Sequence, residues 1–489
     1  MAAILLFACN KVDNADFDVA TALDQQIKSQ THGINVTQTE AQDIADMFMR
    51  SEAGNLGVAT KSSDARSKRV SSSATVREDG QDLMYVFNYE DGGFVIVGST
   101  RNYYPILAYS DKGSFVLQDD MGPVDVWLDE TEVSIKNSGT LDEATKAQMQ
   151  NLWARYDGTF VDPAQELLAA RRPQTRSIGE DSCWAEIERL QAQYGSEGWT
   201  FLPLSFVEEL FSDLDLESYY DAICYSAEQN HSALNETVIG YKYGDEIITQ
   251  IGPLIGTEWY QGSPFGTLCP NGIAGCGPVA AGQLMFFYHY PDTLTYGNDT
   301  FTWDDVPSDY FDDIDNPTPV YKHSQLMMLL GQEFNVVYYT DSTSSCTVDY
   351  LVQGLISLGY FADSDSYNVI TSRNELLNNH RPLIMRGVST STNKGHFWVC
   401  EGAKESLVNQ LYFYTENQPY GAGTFTQGMY SHNNPGIEGG NMYLYFYMCW
   451  GKGGHGDYHP NGWFVSNNVS VGESNYQNYR KNIYVIKLN

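Results

Sequence analysis

Between residues 37 and 50 the apolar positions Ala41, Ile44, Ala45 and Phe48 recur at three- and four-residue spacing behind a Thr37-Gln38-Thr39-Glu40 capping box. That pattern predicts a helix over about 38–50. A Ser/Lys/Arg-rich loop is expected from Lys61 to Arg77. After it, Met84–Asn88 and Phe94–Val97 flank Glu90-Asp91-Gly92-Gly93 and read as a hairpin. Pro105–Tyr109 and Gly113–Leu117 are expected to extend the same sheet, so that 31–135 forms a small α+β domain with no chemistry of its own. From 136 to 245 the pattern weakens into short amphipathic pieces, Gln148–Tyr156 and Ser182–Tyr194, in a connecting region of unknown role. Beyond Gly252 the chain becomes aromatic and glycine-rich. Strand-like runs at Gly395–Cys400, Gln410–Tyr414 and Met442–Met448 predict an antiparallel sheet. One apolar helix, Val279 to His289, faces it and should stop before Pro291.

Composition narrows the classes of function. The 489 residues suffice for two or three domains with real cores. With 28 basic against 62 acidic residues the formal charge is −34, which excludes nucleic-acid binding and a polybasic membrane surface. The acidity, with 34 tyrosines and 43 glycines, suits a soluble, extracytoplasmic, β-rich protein. No CxxC pair occurs among the eight cysteines, so no structural zinc and no cofactor are expected. The run Ala2–Ala8 followed by Cys9 resembles the end of a bacterial lipoprotein signal peptide. It is shorter than such a peptide and lacks a basic start. On this reading residues 1–9 are a signal remnant, Cys9 is the acylated residue, 10–30 is a tether and the protein is surface-anchored. The basic cluster Arg171-Arg172-Pro173 to Arg176 reads as a solvated loop or a processing region.

The candidate chemistry starts at Gly275-Cys276-Gly277-Pro278. A cysteine at the first turn of a helix has its thiolate favoured by the helix dipole and by unpaired N–H groups. Pro278 fits a helix start, where its missing N–H is not needed. A buried core cysteine is the competing reading. A thiol nucleophile needs a base from elsewhere in the fold. Among nine histidines His396 stands out, because Gly395 precedes it and Phe397-Trp398-Val399-Cys400 continue as a strand, 120 residues beyond Cys276. Acyl transfer also needs oxyanion donors. The N–H of Cys276 is one; Gln261, in the loop Trp259–Gly266, is the other candidate.

Trp259-x-Gln261-x-x-Pro264-Phe265, Cys269-Pro270, Gly275-Cys276 through Tyr290-Pro291, Arg381-Pro382-Leu383-Ile384, Gly395-His396, and Trp450-Gly451-x-Gly453-Gly454 with Asn461-Gly462-Trp463-Phe464 stand in the order of one family. The chain resembles a zymogen of the streptopain family of papain-like cysteine peptidases. Asp91-Gly92-Gly93-Phe94 through Val97 and Pro105 through Ser110 resemble that family's inhibitory propeptide. The resemblance implies an α+β architecture: an inhibitory propeptide domain at 31–135, a connecting region at 136–245 and a papain-like catalytic domain at 246–489. It implies Cys276 as nucleophile, His396 as general base and then acid, Gln261 as oxyanion donor, and Trp450 packed over the histidine. The partners implied are polypeptide substrates, with an apolar side chain preferred just before the cleavage-site residue, and the chain's own propeptide. Where the family usually has asparagine before Trp-Gly, this chain has Cys449. A thiol is a weak acceptor for the imidazole N–H, so the expectation is a less well oriented His396 unless a backbone carbonyl or water substitutes. Cys449 keeps a second class in view, a catalytically weakened homologue acting as a surface binding or adhesion protein. The cluster His455-Gly456-Asp457-Tyr458-His459 has no second ligand group at metal spacing.

Overall fold

The structure, a computed structural model, describes residues 33–55, 69–157, 178–195, 199–203, 238–308, 318–414, 428–430, 442–452, 459–466 and 480–488. The expected signal remnant and tether with Cys9, the Arg171–Arg176 cluster and His455–Tyr458 lie outside these residues.

Helix α1 (Gln38–Asn55) starts at the capping box: the Thr37 N–H donates to Glu40 Oε2 at 2.8 Å, and the Glu40 N–H donates to Thr37 Oγ1 at 3.3 Å. The loop expected up to Arg77 is instead strand β1 (Val70–Glu78) over its last part. Asp79-Gly80, both at positive φ, turn it tightly into β2 (Gln81–Tyr89). Two consecutive left-handed residues match the right-handed twist of the flanking strands, and β1 keeps mostly polar side chains on its exposed face. Strands β3 (Phe94–Gly98) and β4 (Ile106–Ser110) complete the predicted hairpin and its extension. Gly113–Leu117 does not extend the sheet. Asn88 takes the place of a strand partner there: its Oδ1 accepts the Phe115 N–H at 2.7 Å and its Nδ2 donates to the Phe115 carbonyl at 3.0 Å. Helix α2 (Pro123–Asn137) follows, then α3 (Glu143–Asp157), which buries Trp153 against the N-terminal core with its indole N–H on the Tyr103 carbonyl.

Helix α4 (Ile178–Tyr194), β5 (Thr200–Pro203) and β6 (Val238–Ile251) enclose a small core of Trp184, Ile187, Leu190, Trp199 and Phe201. The apolar helix is α5 (Cys276–Tyr288), ended by His289 in the left-handed conformation. Two short hairpins, β7 (Leu294–Tyr296) with β8 (Asp299–Phe301) and β9 (Val337–Tyr338) with β10 (Ser344–Ser345), flank α6 (Thr318–Glu333). Then come α7 (Val348–Ser357), β11 (Tyr360–Ser366), α8 (Val369–Leu377), β12 (Leu383–Val388), β13 (Gly395–Tyr414), β14 (Gly428–Tyr430), β15 (Met442–Cys449), β16 (Gly462–Val465) and β17 (Lys481–Lys487). The runs at 395–400 and 410–414 are one continuous strand.

Antiparallel pairing joins these strands into one sheet in the order β1-β2-β3-β4-β16-β15-β13-β12-β17-β11, with β14 and β6 also on β13 and β5 on β6. The ladder crosses from the N-terminal region to the C-terminal one at β4–β16, where Ala108 faces Phe464 and Tyr109 faces Trp463. Side chains alternate along β13: Phe397 and Val399 enter a core with α5, α6 and α7, while Trp398 and Cys400 enter the core shared with α1, α2 and α3. The sheet is therefore buried on both faces, by α5, α6 and α7 on one and by the N-terminal domain on the other.

Candidate active site

Gly275 has φ 93°, and a Cβ there would meet Ser344 Oγ at 2.7 Å, so this turn into α5 accepts only glycine. It presents Cys276 at the helix start. Burial pushes the Cys276 thiol above its ordinary pKa; the N–H groups of Phe397, Gly277 and Cys276 itself oppose that rise, as does the nearby Arg386 guanidinium. Gln261 reaches the same place from a segment pinned at two points. The Ile255 and Gly256 N–H groups donate to the buried Glu401 carboxylate at 2.6 and 2.9 Å, and buried Trp259 packs over Gly282 of α5. The Gln261 carbonyl accepts the Ala274 N–H at 2.8 Å, which ties the loop to the turn before Cys276. The Gln261 side chain makes no hydrogen bond among the described residues.

Cys276, Gln261 and His396 line one cleft of about 830 Å³, together with Asp120, Ser342–Cys346, Arg386, Lys394, Gly451 and Lys452. They approach it differently. On β12 and β13, Arg386 is directly opposite Phe397, on the face that packs α5; Gly387 is opposite His396, on the other face. A Cβ at Gly387 would meet Val126 of α2 at 2.5 Å, and one at Gly122 would stand 3.7 Å from His396 Cε1. The imidazole thus lies against the N-terminal domain, and its Nε2 is buried with no hydrogen-bond partner among the described residues. Burial lowers the His396 pKa to about 4; Asp120 opposes that, and Lys452, Lys394 and Arg386 add to it.

The hairpin that carries His396 is held by two aspartates of the N-terminal domain. Asp129 Oδ2 accepts the N–H groups of Thr390 and Ser391 at 2.6 and 3.2 Å. Asp120 Oδ2 accepts from Lys394 Nζ at 2.6 Å, and the Asp120 carbonyl from Lys452 Nζ at 3.5 Å. Deeper in the interface Glu130 pairs with the buried Arg480 at 2.8 Å, and Lys404 Nζ donates to the Tyr109 hydroxyl at 2.8 Å.

Trp450 is fully buried. Among the described residues its ring contacts are Trp398 at 5.4 Å and Phe464 at 5.0 Å, rather than His396. Cys449 does not face the imidazole either. Its thiol donates to Gln283 Oε1 of α5 at 3.1 Å, and Asn461 Nδ2 donates to its sulfur at 3.6 Å while Asn461 Oδ1 accepts the Trp450 N–H at 2.9 Å. Burial pushes its pKa well up, so it is a neutral structural thiol that joins α5 to the end of β15. Sequence reasoning missed Arg386, Asp120 and Asp129, and placed Asn461 in the family pattern without a role. Arg386 carries a signal, being a lone charge in the apolar run Leu383–Val388; the two aspartates carry none.

A thiol at a helix start facing the N-terminal end of an antiparallel strand that begins Gly-His, under a domain that covers that strand, defines a latent papain-like cysteine peptidase. The Peptidase C10 family matches residues 259–464 and the Spi protease inhibitor family matches residues 33–135. The chain belongs to the streptopain family of cysteine peptidases and is a zymogen whose N-terminal domain is an intramolecular inhibitor. No curated protein matches it in sequence. Similar solved structures include a prointerpain A fragment from Prevotella intermedia, with 14% identity, 84% of this chain and 98% of that chain covered and a TM-score of 0.44. Active interpain A cysteine protease from the same organism has 17% identity over 48% of this chain and 95% of that chain, with a TM-score of 0.32.

Proposed function

We propose that Cys276 is the nucleophile of this endopeptidase, with His396 as general base and then acid, and with Gln261 and the Cys276 N–H as oxyanion donors. The observation that carries the reading is the cleft itself: the helix-start thiol, a glutamine side chain with no hydrogen bond among the described residues, and the histidine at the head of β13 line one cavity. In the form described here the thiol is protonated and the imidazole neutral at neutral pH, which is the resting state of a zymogen. Removal of the N-terminal domain unpins the 389–394 hairpin and rehydrates His396, so that it can take the Cys276 proton. The thiolate then attacks the scissile carbonyl, the two N–H donors hold the oxyanion, and imidazolium protonates the leaving amine before water releases the acyl group. Trp450, which contacts Trp398 and Phe464 in the latent form, packs over the histidine and shields it from water once the ring has turned towards the thiol. Cys449 lies in a network away from the imidazole, and nothing in that network favours a weakened, adhesion-type homologue.

The domain limits in this reading are 31–135 for the propeptide, 136–245 for the connecting region and 246–489 for the catalytic domain. A preference for an apolar side chain just before the cleavage-site residue is part of the same proposal. We place the protein outside the cytoplasm, lipid-anchored through Cys9; among the described residues no helix is long and apolar enough to cross a membrane. Casein hydrolysis by the self-processed protein under reducing conditions tests the assignment. Cys276→Ala and His396→Ala should abolish it, and Gln261→Ala should lower kcat by about 10²–10³. Thiol-dependent hydrolysis that survives Cys276→Ala would refute the proposal.

A further inference from the structure

The cleft is positive in a strongly negative protein. Arg386, Lys394 and Lys452 line it, and all three lie within electrostatic reach of His396. Facing them are two carboxylates, Asp120 and Asp341. Asp120 belongs to the propeptide. Its side chain accepts from Lys394 and, at 3.0 Å, from the Gly122 N–H, and its carbonyl accepts from Lys452. When the propeptide leaves, three cations remain with one carboxylate, and Arg386 has no hydrogen-bond or ion-pair partner among the described residues. Its guanidinium is half-buried, packed under Gly395 so closely that a Cβ there would meet Nη2 at 2.7 Å. A half-desolvated guanidinium with free N–H groups favours a planar anion.

We infer that the processed enzyme has an acid-binding subsite beside His396, built by Lys394 and Lys452 and open towards Arg386 on the thiol side of the cleft, which takes an Asp or Glu side chain of the substrate polypeptide where the zymogen seats Asp120. The inference rests on the peptidase reading above. It adds an acidic preference at one substrate position to an apolar preference at another. The gain reaches the reaction as well as binding, because a substrate carboxylate restores the negative charge that Asp120 supplies to His396 and so supports the imidazolium that forms during attack.

The test uses full-length chain allowed to process itself, with peptide substrates identical except for Asp against Asn, and Glu against Gln, at each position from three before to three after the scissile bond. One position should favour the acid by about tenfold in kcat/KM at low ionic strength, and the preference should shrink in 0.5 M salt. In Lys394→Glu with Lys452→Glu the acid-to-amide ratio at that position should fall below one. In the milder Lys394→Gln with Lys452→Gln, which guards against misfolding of the reversed pair, it should fall towards one. Ratios near one at every position, or a ratio that neither pair of substitutions moves, would overturn the inference while leaving peptide hydrolysis intact. No hydrolysis of any peptide would overturn the peptidase reading itself.

Discussion

With its propeptide docked, His396 is held at about 4 against an ordinary 6.5, mainly because the ring is buried against Gly122 and the hairpin. That difference corresponds to about 3 kcal/mol of discrimination against the imidazolium. The sign follows from linkage: a histidine depressed in the closed state lends its full stability to closure above pH 6.5, and loses it as pH falls from 6.5 towards 4. Glu130 has the opposite sign. Burial raises it to about 7 in spite of Arg480, so its contribution favours the docked state as pH falls below 7. Acid therefore pushes on the interface in both directions, and the latent protonation state should be removed by proteolysis of the propeptide rather than by pH. Full-length protein carrying Cys276→Ala, which cannot cleave itself, isolates the effect. The His396 ring is followed by NMR, assigned through His396→Gln, before and after trimming with a trace of wild-type enzyme. A midpoint near 4 is expected in the uncut chain and one near 6.5 after trimming. A midpoint between 6 and 7 in the uncut chain, or no change on trimming, would refute the argument that docking of the N-terminal domain sets the ring's protonation.

Asp129→Ala removes the acceptor shared by the Thr390 and Ser391 N–H groups, so self-processing of the full chain should start several-fold sooner while the melting temperature changes by less than about 4 °C; a delayed onset would contradict the pinning role. Gly122→Ala places a Cβ 2.5 Å from Lys452 Cε at a left-handed position, so the loss should be about 1–2 kcal/mol, and inhibition in trans by the purified propeptide segment should weaken about tenfold. Cys449→Ser keeps a donor for Gln283 in the buried network, and processed activity on casein should stay within a few-fold of wild type, with stability lower by about 1 kcal/mol in urea unfolding. Loss of activity without loss of stability would instead mean that the thiol serves the imidazole directly.

The parts legible in the sequence were those governed by local pattern. The capping box of α1, the stop of α5 before Pro291, and the glycine-led turns at Cys276 and His396 each follow from a few adjacent residues, and the ordered motifs supplied the family. What escaped depended on partners far along the chain. Val70–Glu78 looked like a basic, serine-rich loop because its pairing is signalled by Asp79-Gly80 rather than by its own apolar content. Gly113–Leu117 has the apolar run of a strand in Phe115-Val116-Leu117, yet only Phe115 is buried, Val116 is exposed, and the amide of Asn88, 27 residues away, takes both backbone groups of Phe115. Cys449 was read by analogy with an asparagine in contact with the imidazole. Its position at the end of β15, turned towards Gln283 of α5, is set by sheet register that no local pattern encodes.

Register also identifies which part of the molecule has to move for the enzyme to work. From Phe397 onward β13 is fixed by β12 on one side and by β15 and β6 beyond, and its Phe397 and Val399 side chains are locked in the core under α5. The hairpin before it is a self-contained unit: the Ser389 N–H donates to the Lys394 carbonyl at 2.9 Å, and Ser389 Oγ accepts from Thr392. Its remaining ties, through Asp129 and Asp120, belong to the propeptide. A rigid hairpin joined to two paired strands swings at both of its junctions, Val388-Ser389 on β12 and residues 394–396 on β13. His396 sits at the second, one residue before the Phe397 N–H that already faces the Cys276 sulfur. Moving the imidazole from the propeptide face to the thiol face requires backbone rotation at Gly395 and His396, the first of which is the residue best able to supply it. It opens only the end of the β12–β13 ladder, where Val388 faces Gly395 and Gly387 faces His396. The inhibitor grips that hairpin at two points of one short segment, Asp120 on Lys394 and Asp129 on the Thr390 and Ser391 N–H groups, so its departure frees the junction at which His396 turns.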